Sequence, residues 1–205
     1  MSHTTFYVRR LHSLCGIVPV GFFLIEHIFT ISSVLGGASS FDAAVARLAL
    51  IPHDIMIFME IFFIAIPFLF HGIYGAIIAM QAKNNPQQYG YVRNWQFYFQ
   101  RITAWYTIVF LLWHVGYLRI MMKGSGVEIN YALMNNYLSN PIVFVLYTVG
   151  MVAAVYHFTN GLFTFTMTWG IAKGPRAQAM FNKAALALCV LLSVIGVVSL
   201  TRFIA

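Results

Sequence analysis

Residues 142–168 read IVFVLYTVGMVAAVYHFTNGLFTFTMT, and this stretch decides how the chain is understood. Not one side chain in it is Asp, Glu, Lys or Arg. It is also longer than the roughly 18–20 apolar residues that carry an α-helix across a bilayer core. Ser139-Asn140-Pro141 immediately before it reads as a helix start, with a capping side chain followed by proline at an early position. In the middle of this apolar run stands an ionisable residue, His157.

Four further runs of the same kind lie at 14–35, 55–80, 102–122 and 184–204. They are separated by Gly36-Gly37, Asn84-Asn85-Pro86, Asn140-Pro141 and Gly174-Pro175, dipeptides and tripeptides that break regular structure. Over 205 residues the chain is 60% hydrophobic, only 8% charged, and has a mean hydropathy of +0.79. Soluble domains carry roughly 25% charged residues, so this chain has too few to cover a water-facing surface, and its apolar load excludes disorder. Short alternating segments of the outer-membrane barrel type are absent from the sequence. The expected fold is an all-α integral membrane protein, one domain over 1–205, with five transmembrane helices. Pro19 and Pro67 fall inside spans, where a kink is tolerated. The first run, interrupted by Glu26-His27, is too long and too polar to be the apolar region of a cleaved signal. Cys15 and Cys189 sit within apolar runs and read as packing residues, not as a disulfide.

The net charge of +7 is scattered and forms no patch for nucleic acid. It reports topology instead. Arg9, Arg10, Lys83, Arg93, Arg101, Lys173, Arg176 and Lys183 fall on one side, against Arg47, Arg119, Lys123 and Arg202 on the other. The tendency of basic loops to stay inside places the N-terminus in the cytoplasm and the C-terminus outside.

His27, His71, His114 and His157 lie well inside spans one, two, three and four respectively. Ionisable residues at that depth are costly and mark function. A single one reads most simply as a hydrogen-bonded link between helices; four, each on its own helix, do not. Counted from the outer ends, His27 and His114 share a shallow level, while His71 and His157 lie about 10–12 Å deeper at ~1.5 Å per residue. Two imidazoles from different helices at one depth suit bis-histidine ligation of a haem iron. Two layers therefore predict two stacked haems b, with His71 and His157 as axial ligands of the inner and His27 and His114 of the outer. One tetrahedral zinc site fits two layers poorly. Gly75 and Gly161, each four residues after an inner histidine, are candidates for packing against a flat macrocycle, or for close helix contact. Arg9, Arg10, His12, Ser13 and Arg101 stand at the inner ends of spans one and three, where inner-haem propionates need donors; the arginines also serve as topology signals.

Glu60 lies a little inside span two from the outer side, and a carboxylate there is a candidate for proton transfer to a quinone. Glu26, His53, Asp54, Ser32 and Asn160 are further polar groups without an assigned role, and His3 lies in the N-terminal tail.

Several of these residues belong to longer matches. Phe6-Tyr7 with Arg9-Arg10-Leu11-His12-Ser13-Leu14, Phe70-His71-Gly72, Lys83-Asn84-Asn85, Arg93-Asn94-Trp95, Trp113-His114-Val115, His157-Phe158 with Asn160-Gly161, and Trp169-Gly170-Ile171 run along nearly the whole chain. Together they resemble the cytochrome b558 membrane anchors of Bacillus-type succinate dehydrogenases. The resemblance implies a five-helix, di-haem anchor in the bacterial cytoplasmic membrane. It would bind a flavoprotein subunit and an iron–sulfur subunit on the cytoplasmic side, and electrons would pass through the inner and then the outer haem to menaquinone. The quinone would be reduced near the outer haem, which strengthens the case for Glu60, and succinate would be oxidised in the partner subunits. A quinol:fumarate reductase anchor working in reverse is an alternative. So are the haem b subunit of a nitrate reductase and a haem-free anchor or transporter with proton-relay histidines.

Overall fold

The computed structural model describes residues 3–205, and no strand occurs among them. Five helical stretches are long and apolar enough to cross a membrane: Thr5–Gly36, His53–Gln81, Val92–Ser125, Pro141–Thr168 and Gly174–Arg202. Five crossings leave the two termini at opposite ends of the bundle, the N-terminal end being called inner below.

The first span joins α1 (His3–Ile17) to α2 (Pro19–Ser32), the break falling where Pro19 has no N–H to continue the ladder. A short helix, α3 (Ala38–Leu48), follows at the outer end. The second span is α4 (His53–Met59), a π-helical stretch over Glu60–Ala65, and α5 (Ile66–Gln81), which opens with Pro67. The third is α6 (Val92–His114) running into a second π-helical stretch, Val115–Met122. A further outer helix, α7 (Tyr131–Leu138), precedes the unbroken spans α8 (Pro141–Thr168) and α9 (Gly174–Arg202).

All five expected spans are present, and their outer limits agree closely with the apolar runs. The inner limits of spans two and four agree as well, but spans one, three and five begin at Thr5, Val92 and Gly174, well before 14, 102 and 184. Hydropathy marks only the hydrocarbon core, whereas a helix that satisfies its own backbone continues through the polar interface. The outer helices α3 and α7 also escaped the apolar runs, being short and mixed in composition.

Helix α8 is the centre of the bundle, with Tyr147, Ala153, Ala154, Val155, Phe158, Thr159, Asn160 and Phe163 all buried. Without a hydrophobic difference between lipid and helix, such packing depends on shape and on small residues. A Cβ at Gly150 would overlap the Phe110 ring, and one at Gly21 the Phe158 ring. Asn140 caps α8 through bonds from the amides of Ile142 (3.0 Å) and Val143 (3.4 Å), with Pro141 next, as the sequence predicts. The outer end is closed by α3, α7 and the chain's last turn. Phe203 is buried edge-on to Phe41 (4.9 Å) and stacks with Tyr131 (5.6 Å), while Asp42 accepts the Tyr131 amide at 2.7 Å. At the inner end Arg93 donates to Gln178 (2.7 Å) and Gln96 to Asn182 (2.8 Å), tying α6 to α9.

Candidate functional site

The four intramembrane histidines come together in the pairs that depth counting predicts. The rings of His71 (α5) and His157 (α8) have centroids 6.0 Å apart at 78°, and those of His27 (α2) and His114 (α6) are 5.8 Å apart at 75°. A metal–imidazole bond of about 2.0–2.1 Å, plus roughly 1 Å from nitrogen to ring centre, doubles to roughly 6 Å. Among the described residues no three metal-ligating side chains gather around one point, so the histidines form pairs and not a four-ligand cage.

Hydrogen bonds turn the rings in a way that suits ligation. Nδ1 of His71 lies 2.9 Å from the His12 carbonyl, and Nδ1 of His157 lies 3.2 Å from the Gln100 carbonyl. A carbonyl can only accept, so Nδ1 of His71 carries the proton and its Nε2 keeps a free lone pair. Nδ1 of His157 also lies 3.2 Å from the Gln100 side-chain nitrogen, and ligation through its Nε2 would give Nδ1 the proton and the Gln100 carbonyl the bond. Gln100 then donates from Nε2 to the His157 carbonyl (3.0 Å) and accepts from Asn160 Nδ2 (2.7 Å). In the outer pair Nδ1 of His114 lies 3.3 Å from the hydroxyl of buried Tyr147. A hydroxyl can donate or accept; with Nε2 of His114 on an iron, Nδ1 would carry the proton and the hydroxyl would accept it.

Of the proposed propionate donors, two carry polar atoms that the protein leaves unsatisfied. Arg101 is buried with its guanidinium 3.5 Å from the Phe97 ring; it donates from Nη2 to Asn84, yet Nε and Nη1 have no partner. His12 Nε2 is likewise buried and unpartnered, with its ring stacked on His71 at 4.3 Å and 2°. Unpaired buried donors are costly, and an anionic group would satisfy both. The residues thus fit a haem, in the imidazole pairs and in these orphaned donors. Arg10 and Ser13 are otherwise engaged. The Arg10 guanidinium lies between the rings of Phe6 (4.9 Å) and Trp169 (5.1 Å), and Ser13 bonds the Arg10 carbonyl (2.9 Å) and Trp169 Nε1 (3.0 Å). Arg9 is exposed. A Cβ at Gly75 would stand 2.9 Å from His12 Nε2, a close approach, whereas one at Gly161 would meet Gln100 Nε2 at 3.5 Å, an ordinary contact.

Glu60 is joined to Arg119, with Nη2 2.6 Å from Oε2 and Nε 3.2 Å from both carboxylate oxygens. Arg119, counted by sequence among the outer-side charges and within the run 102–122, lies inside the third span. Glu26 accepts from Thr30 one turn along its own helix (2.6 Å), and Ser32 bonds the Phe29 carbonyl (2.7 Å). His53 and Asp54 begin α4 exposed, and both cysteines are free.

Sequence reasoning missed Gly16, Gln100, Arg119 and Tyr147. Gly16 receives the His71 imidazole so closely that a Cβ would overlap it. Only Arg119 left a signal, as a charge in an apolar run five residues after His114.

The Tyr147 hydroxyl predicts a measurable asymmetry. An acceptor on Nδ1 makes an axial imidazole a stronger donor and stabilises the oxidised iron. With His114 ligating an outer haem and His71 with His157 an inner one, Tyr147→Phe would raise the midpoint potential of the outer and leave the inner unmoved, as read by redox titration of the spectra. Equal movement of both, or of neither, would refute this role.

Comparison with known proteins agrees with this geometry. Residues 82–196 match the family described as the succinate dehydrogenase/fumarate reductase transmembrane subunit. The succinate dehydrogenase cytochrome b558 subunit of Bacillus subtilis (strain 168) is 41% identical over 199 residues, covering 97% of each chain. With five helical spans and a match at that level over almost its whole length, this chain belongs to the family of succinate dehydrogenase/fumarate reductase transmembrane subunits.

Proposed function

We propose that the chain anchors a flavoprotein subunit and an iron–sulfur subunit to the bacterial cytoplasmic membrane and conducts electrons from them, through two haems b, to menaquinone. Succinate is oxidised in the partner subunits. The observation that carries this reading is the arrangement of four imidazoles from four spans as two pairs, each near 6 Å, at two depths. A b-type haem supplies an iron that takes up and releases one electron at a time.

The protein's own groups do the rest. His71 and His157 hold the inner haem, their Nδ1 atoms turned to the carbonyls of His12 and Gln100. Arg101 and His12 donate to its propionates, while Arg10 and Ser13 dock the start of span one against Trp169. His27 and His114 hold the outer haem. Glu60, about 4–5 Å outward of the outer layer along the helix direction at ~1.5 Å per residue, exchanges protons with the quinone. The excess of basic residues on the inner side supports an N-terminus in the cytoplasm.

The test is made on the purified complex. Succinate should reduce a b-type spectrum, and added menadione, a naphthoquinone, should reoxidise it. A spectrum that succinate leaves oxidised but a naphthoquinol reduces would favour the fumarate-reducing direction, which the same family includes. For Glu60, Glu60→Gln should slow menadione reduction about ten-fold or more with both haem spectra intact; unchanged turnover would reject its role.

A further inference from the structure

Glu60 and Arg119 form the sole ion pair among the described residues, and it lies inside the membrane spans. Each partner stands in one of the two π-helical stretches, Glu60 at the start of Glu60–Ala65 and Arg119 within Val115–Met122. An inserted residue turns the side chains beyond it by about 100° relative to a continuous α-helix, and such turns concentrate at functional sites. Pro67 accounts for the first irregularity, because it removes an N–H from the ladder. No proline lies in the second.

The pair is not sealed in the core. The Glu60 side chain is 29% and the Arg119 side chain 41% exposed, so a lipid-soluble molecule can reach both. The contacts are also unequal. Oε2 accepts from Nη2 and Nε of Arg119, whereas Oε1 shares only Nε, at 3.2 Å. A carboxylate oxygen can accept two hydrogen bonds, so Oε2 is fully engaged and Oε1 keeps one site open.

We propose that Arg119 is the positioning residue of the quinone-reducing site: its guanidinium grips Glu60 by Oε2 and presents Oε1 as the oxygen that exchanges the proton. The inference rests on the reading of Glu60 given above. The planar fork of arginine fixes the orientation of the carboxylate, which a lysine ammonium does not. Arg119 therefore acts through Glu60 and not beside it.

The test uses the complete complex with succinate as donor and menadione as acceptor. Succinate–dye activity, which bypasses this chain, and the reduced haem spectra confirm assembly. Arg119→Gln should lower kcat for menadione about ten-fold or more with KM within about two-fold, the pattern of a lost transition-state interaction. The double variant Glu60→Gln/Arg119→Gln should be no slower than Glu60→Gln, because the second change removes nothing that the first left working. Arg119→Lys keeps the charge without the fork and should fall between wild type and Arg119→Gln; it also carries the test if Arg119→Gln does not assemble. A wild-type kcat in Arg119→Gln or Arg119→Lys, additive losses in the double variant, or loss of a haem would overturn the inference. If Glu60→Gln is itself silent, the reading of Glu60 fails and takes the inference with it. If Glu60→Gln is slow and Arg119→Gln is not, the role of Arg119 alone fails.

Discussion

His71→Ala is expected to remove the inner haem and spare the outer one, halving the haem b content of the complex. The inner pair draws its two imidazoles from α5 and α8, with centroids 6.0 Å apart, and loss of one leaves the iron with His157 alone. His12 offers no substitute. Its ring is stacked parallel on that of His71 at 4.3 Å, and in the reading above its Nε2 serves a propionate. The outer pair, held by α2 and α6, shares no ligand with the inner one. Dithionite should still reduce the remaining haem, whereas succinate should not if, as proposed, electrons enter at the inner haem. Both haems retained in His71→Ala would sink the assignment.

The second large effect comes from the smallest possible change. In a helix interior, Gly→Ala normally stabilises by roughly 0.5–1 kcal/mol. Gly16→Ala should do the opposite, because the new Cβ would stand 2.6 Å from His71 Nδ1 and closer still to Cε1. The imidazole cannot swing aside without breaking its 2.9 Å bond to the His12 carbonyl, four residues before Gly16 on the same helix. The expected outcome is loss of the inner haem with the outer one kept, the same phenotype as His71→Ala from a residue that touches no iron. Gly72→Ala is the control: it is adjacent to His71 in sequence, yet nothing lies within 4 Å of its added Cβ. Full inner-haem occupancy in Gly16→Ala, or equal damage from Gly72→Ala, would contradict the packing argument.

What was legible in the sequence follows from what a bilayer imposes. Apolar length reports spans, and a histidine inside an apolar run is conspicuous because so little else there ionises. Depth along a helix follows from residue number at ~1.5 Å per residue, so His27 could be matched with His114 and His71 with His157 before any contact was known. Contacts between helices are different, because they depend on how each helix is rotated about its axis. Nothing local shows that Gly16 faces His71, that Gln100 lies beneath His157, or that Tyr147 meets His114. Gly75 stands out by its spacing from His71, but the atom its missing Cβ would crowd, His12 Nε2, comes from another helix. The π-helical turns were equally hidden. Pro67 marks the first, yet a kink is all that proline promises, and the ion pair across the two turns needed Glu60 and Arg119 to be brought together from 59 positions apart.

The central claim is that two histidine pairs hold two haems b, and it is tested most directly by pyridine haemochrome quantitation on the purified complex, normalised to this chain. Two haems b per chain is the predicted result. One haem would mean that one of the two pairs is not a ligand set, and none in properly assembled complex would contradict the account as a whole.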